Sequence, residues 1–148
     1  GKALPSTPSV MDFSVMAEHG SMLNTPPTFG IYLAGLIFKH LKAQGGLAAV
    51  ETANIAKARL VYDAIESSGG FYRNPVEQGC RSRMNVPFTL ENPALDGDFL
   101  VEAAARRLAG LKGHKSVGGM RASIYNAMSL EGVAALVELM QDFAARKA

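Results

Sequence analysis

The sequence predicts an α/β layer, with amphipathic helices packed on one face of a small sheet. Three observations predict it. Apolar residues recur at helical spacing in several stretches, residues 84–90 alternate as a strand does, and clusters of glycine, proline and asparagine separate the stretches. The order is two helices, a strand, a helix, two strands and a helix, with no internal repeat or low-complexity tract.

Residues 1–24, with Pro5 and Pro8, read as an irregular lead-in. Asn24-Thr25-Pro26-Pro27-Thr28 opens the first helix. Asn24 or Thr25 can cap it, and proline suits a first turn, where its missing N–H would have had no partner. Phe29, Leu33, Leu36, Ile37 and Leu41 follow at helical spacing until Gly45-Gly46 stops the run. This helix is apolar on more than one side, around Ile31, Tyr32, Ile37 and Phe38. That means either deep burial or contact with something outside the chain. A second helix spans residues 47–66, with Val50, Ile55, Val61 and Ile65 among its apolar positions, and Ser67-Ser68-Gly69-Gly70 closes it.

In the strand at 84–90, Pro87 argues for a sheet edge or a bulge. Asn92-Pro93 punctuates, and an alanine-rich helix covers 95–108. Two short strands are expected near 111–117 and 120–125. Ser129 then caps a last helix carrying Val133, Leu136, Val137, Met140 and Phe143.

Composition narrows the function. A chain of 148 residues holds one domain with a real core, and 48% hydrophobic against 19% charged residues marks it as globular. A net charge of +2 is too small to argue for nucleic acid or an anionic membrane as partner. Cys80 is the only cysteine, so no intrachain disulfide forms, which fits a reducing compartment such as the cytoplasm. His19, His40 and His114 lie far apart without ligand-spaced neighbours, so no metal site is expected. The longest apolar run, Phe29 to Phe38, falls well short of the roughly 20 residues that cross a bilayer. Residues 1–7 read as the inside of a longer sequence, or as a processed terminus.

The most informative segment is 111–126. It sets His114, Lys115 and Arg121 around Gly118-Gly119. Such a set suits a small molecule with two anionic ends, because cations hold a phosphate and a planar guanidinium holds a carboxylate through two parallel hydrogen bonds. The glycines admit backbone N–H groups to a ligand or let the chain turn with positive φ. A solvated strand and turn would carry the same residues.

Four motifs, in order, carry a family resemblance: Ser21-Met22-Leu23-Asn24-Thr25-Pro26-Pro27-Thr28-Phe29, Arg81-Ser82-Arg83-Met84-Asn85-Val86-Pro87-Phe88, Lys112-Gly113-His114, and Gly118-Gly119-Met120-Arg121-Ala122-Ser123-Ile124-Tyr125-Asn126-Ala127. Together they closely resemble the phosphoserine aminotransferases, pyridoxal-phosphate enzymes of the aspartate-aminotransferase fold (class V). The resemblance covers essentially the whole chain but only the last two-fifths or so of that family's length. It implies transfer of an amino group from glutamate to 3-phosphohydroxypyruvate, giving O-phosphoserine and 2-oxoglutarate in serine biosynthesis. In many bacteria the family also acts in pyridoxine biosynthesis, and its members are homodimers.

By the same resemblance, residues 1–24 are an end piece of the large domain. Residues 25–148 are the C-terminal small substrate domain, with a small, mostly antiparallel sheet. Arg121 matches the arginine that holds the substrate α-carboxylate, and His114 a histidine beside the substrate phosphate. Lys115 stands where the family often has arginine, keeping the charge but losing the bidentate geometry. Asn24 and Thr25 match residues that reach across the dimer to the neighbouring subunit's cofactor phosphate. In the family, the lysine that binds pyridoxal phosphate, the aspartate at its ring nitrogen and the stacked aromatic all belong to the large domain. None of Lys2, Lys39, Lys42, Lys57, Lys112, Lys115 and Lys147 matches that lysine's surroundings, so no catalytic residue is expected in this chain and the fragment alone should be inactive. The alternative reading is a non-catalytic module that binds a small phosphorylated metabolite.

Overall fold

The computed structural model describes residues 2–147 and divides into two compact units, Gly1–Gln44 and Gly45–Ala148. In the first unit, a 3-10 turn (Ser9–Met11) precedes α1 (Phe13–Glu18) and α2 (Thr28–Ala43). The lead-in is therefore more regular than its prolines suggest. Asp12 starts α1 by accepting the Ser14 N–H at 2.9 Å. That bond and one from the Ser14 hydroxyl hold its carboxyl below the usual range. The cap expected for α2 differs too. Pro27 is the capping residue, its carbonyl accepts the Ile31 N–H at 3.1 Å, and neither Asn24 nor Thr25 makes a capping hydrogen bond. The Pro26-Pro27 pair extends the chain past both polar residues before the helix begins.

The second unit contains α3 (Gly46–Glu66), β1 (Tyr72–Arg73), β2 (Asn85–Leu90), α4 (Asp96–Ala105), β3 (Met120–Ser123) and α5 (Leu130–Lys147). The three strands form one antiparallel sheet in the order β1-β2-β3. Alternation decides its two faces. Val86, Phe88 and Leu90 of β2, with Met120 and Ala122 of β3, are buried against the helices. Asn85, Pro87, Thr89, Arg121 and Ser123 take the other face, where Arg121 is exposed and the rest are half-buried. The expected layer with helices on one face is the architecture observed.

The core is aromatic at its centre. Phe99 of α4 meets Phe143 of α5 edge-on at 5.3 Å and Phe88 of β2 at 5.9 Å. Each such ring contributes about 1.5–3 kcal/mol through burial. Tyr72 joins them and donates its hydroxyl to the Met140 carbonyl at 2.9 Å, while burial pushes its pKa upward.

Three expectations are corrected here. Residues 111–117 are not a strand: Lys112 alone bridges to Met120, and residues 114–118 are spent on a turn. The helix expected over 95–108 ends at Ala105, because Arg107 adopts the left-handed conformation (φ 61°). It closes the helix with bonds from Arg107 N–H to Ala104 and from Leu108 N–H to Ala103. Pro87 lies neither on an edge strand nor at a bulge but in the middle strand, opposite Arg121. Arg121 sends its own N–H away, to the Leu111 carbonyl at 2.7 Å, so this rung is one that exchanges no hydrogen bonds. On the other side, β1 pairs only with Thr89 and Leu90. Proline is tolerated there because no strand asks for its N–H. Ser129 does cap α5, accepting the Gly132 N–H at 3.1 Å.

Candidate functional site

The segment 111–121 doubles back as a hairpin turn closed by one isolated bridge. Lys112 pairs with Met120, the Gly113 N–H donates to the Gly119 carbonyl at 2.8 Å, and the Arg121 N–H reaches the Leu111 carbonyl. At its tip the N–H groups of Val117 and Gly118 both bond the His114 carbonyl, at 2.9 and 2.8 Å. The glycines have steric reasons. A Cβ on Gly113 would lie 2.0 Å from the Gly118 carbonyl oxygen. Gly119 combines φ +58° with a site where a Cβ would meet the Phe88 carbonyl oxygen at 2.7 Å. The Gly118-Gly119 pair therefore serves the turn and the close approach to β2.

The predicted cations divide between the two ends of this hairpin. His114 and Lys115 are exposed at the tip. Arg121 lies on the open face of the sheet, three residues past Gly118, about 10 Å along an extended chain. Nδ1 of His114 sits 2.6 Å from the Ser116 hydroxyl and accepts the Ser116 N–H at 3.3 Å. Arg73, Arg81, Arg83, Arg106 and Arg146 are each paired with a carboxylate, whereas Lys115 and Arg121, like Arg59 and Arg107, have no such partner among the described residues. An arginine left unpaired on an open sheet face is available to an anion from elsewhere.

Around Arg121 the open face is polar and ordered. Asn85 Oδ1 receives the Ser123 hydroxyl at 3.1 Å and the Tyr125 hydroxyl at 3.2 Å. Tyr125, whose role the sequence left open, thus orients Asn85, two residues along β2 from Pro87 and its partner Arg121. Asn126 faces α3, where its Oδ1 accepts from Asn54 at 2.8 Å. Arg81 pairs with Glu66 and lies 4.8 Å over the Tyr62 ring, and Arg83 pairs with Glu51. Both tie the chain before β2 to α3.

Sequence reasoning missed Asn54 and Lys57. They lie inside α3 at 5% and 3% exposure, and Lys57 donates to the carbonyls of Tyr125 and Met128. A signal existed, because both fall on the stripe of Ala58, Val61 and Ile65. Ile55, read as an apolar position of the same helix, is 42% exposed instead.

A cavity of about 320 Å³ lies between residues 107–111, the end of β3 and the start of α5, lined by Leu108, Leu111, Ile124, Val133 and Leu136 among others. None of His114, Lys115 or Arg121 lines it, so it is separate from the cationic hairpin.

In the first unit, Asn24 and Thr25 are exposed just before α2. The N–H groups of Phe29 and Gly30, in its first turn, have no backbone partner among the described residues, and that turn carries no acidic side chain. None of the described residues of α2 is buried; Phe29, Ile31, Tyr32 and Phe38 are more than half exposed. Among the described residues, no helix is long and apolar enough to cross a membrane.

Comparison with known proteins adds sequence-wide evidence. The model of the family described as aminotransferase class V matches residues 3–136. The chain is 64% identical to the phosphoserine aminotransferase of Aromatoleum aromaticum, over 99% of this chain and 40% of that protein. It is 58% identical to that of Ralstonia nicotianae, over 97% of this chain and 38% of that protein. Among solved structures, the phosphoserine aminotransferase from Bacillus circulans subsp. alkalophilus matches with a TM-score of 0.89 and 43% identity, over 96% of this chain and 39% of that one. The pyridoxal-phosphate-bound enzyme from Trichomonas vaginalis matches at 0.83 and 43%, over 94% of this chain and 40% of that one. The chain thus spans about 40% of the length of the relatives it matches, at their C-terminal part. With nine-tenths of its residues inside the family model and the cationic hairpin in place, it belongs to the class-V aminotransferase family.

Proposed function

We propose that this chain is the substrate-selecting C-terminal part of a phosphoserine aminotransferase, which moves an amino group between glutamate and 3-phosphohydroxypyruvate in serine biosynthesis. A role in pyridoxine biosynthesis is included in the same reading. The hairpin carries the argument: it presents cations without carboxylate partners at its two ends, among the described residues. Phosphoserine has a phosphate at one end and an α-carboxylate at the other, and glutamate shares the carboxylate. Arg121 would hold that carboxylate through its fork, and the His114 imidazole with the Lys115 ammonium would hold the phosphate.

Pyridoxal phosphate fits one place in this chain. The Asn24 amide, the Thr25 hydroxyl and the free N–H groups opening α2 form a donor set without an acidic neighbour, suited to its phosphate. When bound, that group supplies the electron-withdrawing ring on which amino transfer depends. The lysines here do not supply an amine for it, since Lys57 is buried on three carbonyls and the others lack the family's context. The catalytic lysine would belong to the remaining length of the relatives. In this reading residues 1–24 belong to the large domain and 25–148 to the small one. The full protein works as a homodimer in the cytoplasm, with Asn24 and Thr25 serving the partner's cofactor.

The test uses the full-length enzyme and both amino-acid substrates. Arg121→Ala is expected to raise KM for glutamate and phosphoserine alike, by roughly 100-fold, because a charge-assisted pair is lost from both. Lys115→Ala should penalise phosphoserine about tenfold more than glutamate. Equal effects of Lys115→Ala on both substrates would overturn the phosphate assignment. The alternative module that only binds a metabolite is disfavoured by the relatives, which are aminotransferases of more than twice this length.

A further inference from the structure

Lys57 is the most deeply buried charged side chain among the described residues, at 3% exposure on α3. Its Nζ donates to the carbonyl oxygens of Tyr125 at 2.8 Å, Met128 at 3.0 Å and Ile124 at 3.4 Å. An ammonium has three donors and no acceptor, so its bonding capacity is filled. Desolvation pulls the Lys57 pKa below its usual value, so burial costs stability unless those bonds offset it. One turn earlier, Asn54 donates to Asn126 at 2.8 Å. Both side chains therefore grip the irregular stretch 124–128.

That stretch leaves β3 just after Arg121. The Ile124 N–H makes the last rung with the Met84 carbonyl at 2.8 Å, and the Met128 N–H closes a turn on the Tyr125 carbonyl. The Tyr125 carbonyl is held by Lys57, while its hydroxyl crosses to Asn85 on the open face. Without the ammonium, Tyr125 and the end of β3 would lose their anchor on the helix side, and the carbonyls of Ile124 and Met128 would lose a buried donor.

We propose that Lys57, assisted by Asn54, is a positioning residue for the carboxylate site: from behind the sheet it fixes the end of β3, and thereby Arg121 and the Asn85–Ser123–Tyr125 cluster in front. The proposal rests on the reading of Arg121 given above. Lys57 touches neither substrate nor cofactor in this scheme, and its effect reaches the ligand only through the backbone it holds.

The experiment compares Lys57→Met, which keeps most of the volume and removes the donors, with Arg121→Ala in the full-length holoenzyme. KM and kcat are measured for glutamate and phosphoserine, together with hydrogen–deuterium exchange of peptides covering 120–129. Lys57→Met is expected to raise KM for both substrates roughly 10- to 100-fold, the scale of a misplaced binding group, with a smaller change in kcat. Exchange across 120–129 should quicken. A core variant remote from the segment, Phe143→Leu, should destabilise without moving KM. Unchanged KM in Lys57→Met beside a raised KM in Arg121→Ala overturns the positioning role and leaves Arg121 its own. Unchanged KM in Arg121→Ala overturns the carboxylate reading itself, and with it the proposal. If Lys57→Met does not fold, Asn54→Ala takes its place, with about a threefold KM increase expected from one lost hydrogen bond and an unchanged KM overturning the proposal.

Discussion

Gly118 and Gly119 are neighbours with the same sign of φ and different obligations. Gly118, at φ +77°, has open space where a side chain would go. Gly119, at φ +58°, has the Phe88 carbonyl oxygen and the Thr89 methyl there. Alanine at position 118 should cost about 1–2 kcal/mol, the left-handed penalty alone. Alanine at 119 adds a collision with backbone and should cost about 3 kcal/mol or more. Urea unfolding of the two variants checks this, and equal losses would contradict the close approach to β2. The same residues mark what the sequence discloses. His114, Lys115 and Arg121 are legible because cations beside glycines are conspicuous in a chain of modest charge. The contact between Ser116 and the His114 imidazole is not legible, because it depends on a turn rather than on a strand. Lys57 escapes for the opposite reason: a single charge in a long helix reads as solvated unless its register against Ala58, Val61 and Ile65 is followed.

At the scale of elements, periodicity locates α2, α3 and α5 closely, since each has enough turns for its apolar stripe to stand out. The two-residue β1 is lost, because so short a strand has no period to detect, whereas β3 (Met120–Ser123) falls inside the expected 120–125. The end of α4 is misplaced because Arg107 takes a conformation that glycine usually signals. Helices α4 and α5 are joined by Arg146–Glu102, Arg106–Asp142 and Lys147–Asp98. The hydrogen bonds from Arg146 hold the Glu102 carboxyl below its ordinary value of 4.5. A folded-state pKa below the unfolded one contributes stability at neutral pH that is lost as pH falls through the folded value. Glu102→Gln should therefore lower Tm at pH 7, and the difference from wild type should shrink as acidification protonates the Glu102 carboxylate. Thermal melts at pH 7 and pH 3 read this out, and a difference that persists at pH 3 would show that the pair acts through something other than charge.

The whole molecule divides its tasks between its two units. Every buried apolar residue of the core comes from the second unit, 45–148, while α2 in the first unit buries none of its apolar side chains. Residues 45–148 alone should therefore fold and melt cooperatively. The 148-residue chain should bind a hydrophobic dye such as ANS more strongly than 45–148 does, because the exposed apolar side chains of α2 attract it. Equal dye binding by the two would contradict that reading of α2. The middle strand has a different relation to foreign chains. Because β1 is only two residues long, the outer side of β2 near Pro87 would be an invitation to an intruding strand. Pro87 offers no N–H there, and its carbonyl is already taken by the Asn74 amide at 2.6 Å. An incoming strand would find neither donor nor acceptor at that level, so the proline that looks misplaced in a central strand guards the sheet against β-aggregation.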